Sequence, residues 1–360
     1  MKAKTSAQNQ SARNSLSENL ALSFALPVGL LTAIVWWLIL RQFHMGIPIV
    51  GWPSIGGAVL INAGIITSIG FLVGYLRGIK AQQPDQRLQL SRPKFIFDSL
   101  TLTIAYTIIM VVLSALAVYV FSLAFKGLVL PPASAALVVG VFSTVTLYVI
   151  ISTSVHLQSR DIVNALTLFI AGGVLISMIT AQNPLWWEIN FSSLGTSSSL
   201  SSATFNVTLI LSGLLLLSLT DYLLNDLGII VSGQKQTALT RTALIKGLFI
   251  FISLSLAGVG LFPWNRYPLL HNACAYLLVV GFTIIIVGLR WLIPDISKSF
   301  LANSYTILTI LLTCFVLWQP LHYFSQTAFE LIAFSLTFIW LVLFLRTITL
   351  MRDQILANKV

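Results

Sequence analysis

Residues 99–124 read SLTLTIAYTIIMVVLSALAVYVFSLA, an apolar run without one charged side chain, preceded by Lys94 and Asp98 and closed by Phe125-Lys126. At ~1.5 Å rise per residue, a helix needs only ~20 residues to cross a hydrocarbon core of ~30 Å. This run is long enough. Working outward, similar runs lie at Leu20 to Leu40, Ser54 to Tyr75, Ser134 to Ser154 and Ile162 to Thr180. Five more follow at Ala203 to Leu224, Leu244 to Leu261, Leu269 to Leu289, Leu301 to Trp318 and Thr327 to Leu345. Lipid offers no partner to an unpaired backbone amide, so the expected fold class is all-α, a polytopic transmembrane bundle of about ten spans.

Composition agrees: hydrophobic residues make up 57% and charged residues 8% of the chain, too few charges to cover a soluble globule. The charge that exists is sorted. With the N-terminus inside, cytoplasmic segments hold Lys2, Lys4, Arg13, Arg77, Lys80, Arg87, Arg92, Lys94, Arg160, Lys235, Arg241, Lys246, Arg290, Lys298, Arg346, Arg352 and Lys359. Arg41, Lys126 and Arg266 remain outside, a partition of 17 to 3 that places both termini in the cytoplasm. Anionic inner-leaflet lipid accounts for such loops, so the net charge of +10 calls for no nucleic-acid partner.

Seven of the nine Trp, namely Trp36, Trp37, Trp52, Trp186, Trp187, Trp264 and Trp318, fall near the outer boundary; Trp291 and Trp340 fall toward the inner one. An interfacial aromatic belt explains most of this pattern. Residues 1–18, rich in Ser, Asn and Gln, read as a disordered cytoplasmic tail. The run that follows passes into Arg41-Gln42-Phe43 without a small-residue cleavage pattern and is expected to remain as the first helix. Cys274 and Cys314 lie inside spans, where packing is their default role.

The most unusual connection is Ala181 to Ser202, which carries Trp186, Trp187, Glu188, Asn190, Ser193 and Gly195 ahead of a Ser-rich run. That is more chemistry than a spacer needs, and Ser201 or Ser202 is placed to cap the next helix. Three His lie at the same outer side, His44, His271 and His322, joined by Glu188, Arg266 and Glu330. Ionisable groups at membrane depth are costly, which makes each a functional candidate. His271 falls in the first turn of the eighth span, where it either bonds another helix, for instance at Asn206, or serves a ligand or a reaction. Arg266, five residues earlier, has the planar fork that holds phosphate or carboxylate, and serves equally as a headgroup anchor. Glu330 suits the positive end of the last span's helix. Asp221 and Asp226 lie at the inner end of the sixth span, where solvation or pairing with Lys235 or Arg241 is the plain reading of Asp221. Folding of the 186–202 loop over the sixth and eighth spans would bring Glu188 or Asn190 to Arg266 and His271.

Three short stretches resemble a known family, the bacterial membrane proteins of domain of unknown function family 998. They are Trp187 through Asn190 to Ser193-Leu194-Gly195, then Phe205-Asn206 with Gly213, then Gly260-Leu261-Phe262-Pro263 followed by His271-Asn272 and Ala275. The resemblance covers Ile162 to Arg346 and, more distantly, is similar to Frag, DRAM and Sfk-type proteins associated with lipid organisation. It implies a division into a four-helix block, 19–160, and a six-helix block, 161–360. The outer polar residues Trp187, Glu188, Asn190, Ser193, Gly195, Asn206, Arg266, His271 and Asn272 become the expected ligand site.

No Walker, Rossmann, Gly-x-Ser-x-Gly, haem-attachment or clustered-Cys pattern is present, so no cofactor is expected, and no His-x-x-x-His or His-Glu-x-x-His spacing points to a metal. The leading expectation is a non-enzymatic protein of a bacterial cytoplasmic membrane that binds or moves a lipid or other amphiphile at the outer leaflet. A membrane-embedded hydrolase or acyl transferase, with His271 as base and Ser193 as nucleophile, is the first alternative. A permease powered by a separate ATPase is the second, which leaves a separate transporter or envelope-protein partner open.

Overall fold

A computed structural model describes residues 2–43, 46–81, 91–231, 236–293 and 295–358. His44, Arg87, Lys235 and Lys359 lie outside the described residues. Among those described there are ten α-helices, and all ten are long and apolar enough to cross a membrane. The chain is an all-α, multi-pass membrane protein.

The helices are α1 (Lys2–Leu40), α2 (Ile55–Ala81), α3 (Arg92–Ala124), α4 (Pro132–Val155), α5 (Ser159–Ile179), α6 (Leu200–Val231), α7 (Gln236–Leu261), α8 (Pro268–Leu292), α9 (Lys298–Trp318) and α10 (Gln326–Asn358). Their ends differ in kind. Where the basic residues gather, helices outrun the apolar runs: α2 continues past Arg77 and Lys80, α3 begins at Arg92, and α10 extends beyond Arg352. Hydropathy reports only the part of a helix that lies in hydrocarbon, whereas Lys, Arg, Gln and Leu sustain helix equally well beyond it. At the opposite ends, Pro53, Pro131, Pro263 and Pro268 sit at or beside helix boundaries, and apolar run and helix stop together. At the other end of the chain α1 takes in residues 2–18 ahead of its apolar run.

The chain divides into two compact units, residues 1–157 and 158–359. In the first, α4 packs against α1 and α2, and α3 lies against α2. Gly70, Gly74 and Gly78 repeat every fourth residue on α2, and a Cβ at each would collide with Leu147, Ser154 or the Val155 carbonyl of α4. Small residues thus let two backbones approach, the usual means of helix association in lipid. A short antiparallel bridge, β1 (Ile47–Pro48) with β2 (Val129–Leu130), ties the α1–α2 and α3–α4 connections.

In the second unit α6 is the central helix, packed by α5, α7 and α10, while α8 bridges α7 and α9. Gly213 and Gly260 make the α6–α7 approach close, since a Cβ on either would meet backbone of the other helix within 2.6 Å. Trp340 does not serve the interfacial belt: it is fully buried on α10 among Phe282, Phe300 and Phe344, its indole N–H donating to Ser304 Oγ at 2.8 Å. A Trp tolerates burial when its polar edge is satisfied in this way. Near the basic end of the unit, Arg352 of α10 donates to Asp226 of α6 at 2.8 Å, and Ser159 of α5 donates to the other oxygen of Asp226 at 2.7 Å. Asp221 pairs with Lys246 at 3.5 Å; Arg241 lies instead over the ring of Trp291.

Candidate functional site

The connection from α5 to α6 is folded, and its folding builds the site. Asn183 Oδ1 accepts the Leu185 N–H, and two short 3-10 turns follow, Trp186–Glu188 and Phe191–Gly195. With three residues per turn, positions i and i+3 share a face. Phe191 and Leu194 accordingly point together into the apolar core with Val174, Phe205, Leu209, Leu256 and Val259. The Phe191 ring meets Phe205 edge-on at 5.2 Å and Phe334 at 5.4 Å.

Hydrogen bonds then fasten the turn to the surrounding helices. Glu330 of α10 accepts the Phe191 N–H at 2.8 Å, also faces the Ser192 N–H, and receives the Gln326 side-chain amide at 2.7 Å. On α6, the Asn206 amide donates to the Gly195 carbonyl at 2.9 Å, and a Cβ on Gly195 would collide with that side chain. Asn265, before α8, donates to the Thr196 carbonyl at 2.9 Å. Ser201 caps nothing; its hydroxyl donates to the Ser177 carbonyl of α5, while Ser199 accepts the Ser202 N–H at the start of α6.

His271 is buried and lies 2.9 Å from two partners, Nδ1 to the Phe262 carbonyl and Nε2 to Ser192 Oγ. A carbonyl only accepts, so Nδ1 carries the proton; in the neutral ring Nε2 then accepts from the Ser192 hydroxyl. The expected partner Asn206 is engaged elsewhere. The expected nucleophile Ser193 is also displaced, for in a 3-10 turn consecutive side chains differ by about 120°. Ser193 Oγ turns back to the carbonyls of Asn190 and Trp186, at 2.6 and 3.0 Å, and Ser192 takes the imidazole.

The remaining expected residues separate by exposure. Asn190 is buried at 2% exposure, and its Oδ1 has no hydrogen-bond partner. Trp187, Glu188, Arg266 and Asn272 are exposed. Among the described residues neither Glu188 nor Arg266 takes part in an ion pair, so the loop reaches His271 through Ser192 rather than through Glu188 or Asn190. The sequence marks Glu330 as an ionisable group at membrane depth that suits a helix dipole, and gives no sign of its partners Ser192 and Gln326. The available signal was the expense of a carboxylate inside a span, which demands donors nearby; Ser192 is indistinguishable from its Ser neighbours until the turn is known.

A Ser hydroxyl on a neutral imidazole is the pairing of nucleophile and base. Acyl transfer also needs N–H donors aimed at a developing oxyanion. Here the Phe191 and Ser192 N–H groups face the Glu330 carboxylate, and the Ser193 N–H donates to the Asn190 carbonyl at 3.2 Å. Among the described residues, no three His, Cys, Asp or Glu side chains gather where a metal ion would be held.

Leu185, Trp187 and Ile189 of the loop are exposed, as are Arg266, Tyr267 and Leu269 at the start of α8. No family model, curated protein or solved structure matches this chain, so the functional reading rests on its own geometry.

Proposed function

We propose that this multi-pass membrane protein binds or moves a lipid or other amphiphile at the outer leaflet of a bacterial cytoplasmic membrane, without chemical turnover. The observation that carries this reading is a loop fastened to α6, α8 and α10 that leaves Trp187, Ile189 and Arg266 exposed. Apolar side chains held at the membrane boundary present a fixed surface that suits the acyl region of an amphiphile. In this reading the exposed apolar side chains of the loop cover an acyl tail and the Arg266 guanidinium engages an anionic headgroup through its fork. The motifs that resemble domain of unknown function family 998 fall in the same loop and helices.

Mass spectrometry of co-purified lipids tests the proposal. Retention of anionic or zwitterionic lipid should fall more in Arg266→Ala than in Arg266→Lys, and unchanged retention in both would defeat it. The topology is tested separately by single-cysteine labelling: position 80 should react from the cytoplasmic side and position 187 from the outside. The Ser192–His271 pair favours a second reading, acyl transfer, and labelling of Ser192 by a fluorophosphonate would replace binding with catalysis.

A further inference from the structure

The seam between α7 and α8 is closed in its middle and open toward its basic end. Gly281 and Gly288 stand one heptad apart on α8, and so on one face of that helix to within about 20°. A Cβ at Gly281 would collide with Ile252 of α7 at 2.7 Å, whereas one at Gly288 would meet no atom of α7 within 4 Å, only Leu292 of its own helix. The two helices therefore part between these glycines. At the open end the Arg241 guanidinium of α7 lies over the Trp291 ring of α8, 5.4 Å from its centroid, and Trp291 stays 53% exposed. Stacking covers one face of a guanidinium and leaves its N–H edge free. Among the described residues neither Arg241 nor the exposed Arg290, next to Trp291, takes part in an ion pair, and Asp221 is taken by Lys246. One turn deeper on the same helix faces, Leu244 follows Arg241 and Val287 precedes Trp291, both exposed.

We infer that the open end of the α7–α8 seam binds a phospholipid with a net negative headgroup, of the phosphatidylglycerol type, from the leaflet at the basic end. Its phosphate takes the free edge of Arg241, Arg290 supplies the second positive charge, and an acyl chain runs along Leu244 and Val287. Trp291 sets the depth, since an indole settles at headgroup level. A zwitterionic headgroup would bring a cation of its own to two guanidiniums that no acid neutralises. The site lies at the other end of α7 and α8 from the 181–202 loop and does not depend on the function proposed there.

The test titrates the full chain in micelles with phosphatidylglycerol and phosphatidylcholine of identical acyl chains, read by native mass spectrometry. The wild type should prefer phosphatidylglycerol. Arg241→Gln and Arg290→Gln should each lower that affinity about fivefold, the worth of one basic side chain at an anionic surface, and leave phosphatidylcholine unchanged. Trp291→Leu keeps every charge and should still lower it, with partial retention in Trp291→Phe. Arg160→Gln is the control: it removes an equal, exposed charge from α5, which packs against α6 and α10, and should have little effect. Gly288→Leu fills the gap from a position where a Cβ makes only ordinary contact, so it should expel the lipid while the thermal midpoint holds. Equal wild-type affinity for the two lipids, equal losses in Arg160→Gln and Arg241→Gln, or undiminished binding in folded Gly288→Leu overturns the site. Glycerol 3-phosphate bound as tightly as the lipid would assign the two Arg to a soluble phosphate ester and overturn it as well.

Discussion

A double-mutant cycle on Ser192 and His271 tests whether the loop is held as described. Ser192→Ala removes one hydrogen bond and leaves Nε2 of a buried ring without its donor. Hydrogen bonds between helices in lipid average ~0.6 kcal/mol and reach ~1.7 kcal/mol, and a typical net value in water is ~1 kcal/mol, so about 1 kcal/mol is expected. His271→Ala removes both bonds, strands the Phe262 carbonyl and empties the volume of an imidazole that is 4% exposed. Two bonds and a partly collapsed cavity amount to about 2–4 kcal/mol. Once Ala stands at 271, Ser192 has no imidazole to donate to, and its substitution should cost almost nothing further. The coupling between the two is therefore about 0.6–1.5 kcal/mol. Reversible unfolding in mixed micelles, followed by tryptophan fluorescence, measures all three variants. Additivity to within ~0.3–0.5 kcal/mol, the behaviour of sites that share no interaction, would refute the pairing and with it the orientation of the 191–195 turn.

Other substitutions separate buried from exposed chemistry. Asp226→Ala removes the buried partner of Arg352 and of the Ser159 hydroxyl but leaves Arg352 paired with Asp353 at 2.7 Å, and should cost about 1–3 kcal/mol, whereas Asp221→Ala, facing the half-exposed Lys246, should cost under about 1 kcal/mol in the same unfolding assay. Phe191→Ala should destabilise by about 3–5 kcal/mol and speed hydrogen exchange across residues 186–199, while the exposed Trp187→Ala should change stability by no more than about 0.5 kcal/mol. Gly74→Leu should lower the thermal midpoint and the yield of folded protein through a collision with Ser154 on α4, and Leu72→Ala, on a face more open to lipid, should not.

The ten-helix, all-α character of this protein was present in its sequence, because crossing a hydrocarbon layer imposes length and apolarity on each segment by itself. A run such as Ser99 to Ala124 needs no tertiary partner to be recognised. Helix ends marked by Pro were equally local, while those running on through Arg77, Arg92 or Arg352 were hidden, since hydropathy falls where the helix does not. His271 and the 181–202 loop stood out as polar groups where polar groups are expensive. Which atoms they bond did not. The choice of Ser192 over Ser193, of Asn206 for Gly195 rather than for His271, and of Lys246 for Asp221 depends on rotation about a 3-10 turn and on the register of packed helices. A change of about 120° in one, or of a single residue in the other, exchanges the partners and leaves every local propensity untouched. Glu330 shows the same limit most plainly: alone it is a carboxylate at a helix start, and only the fold sets the Phe191 and Ser192 N–H groups against it.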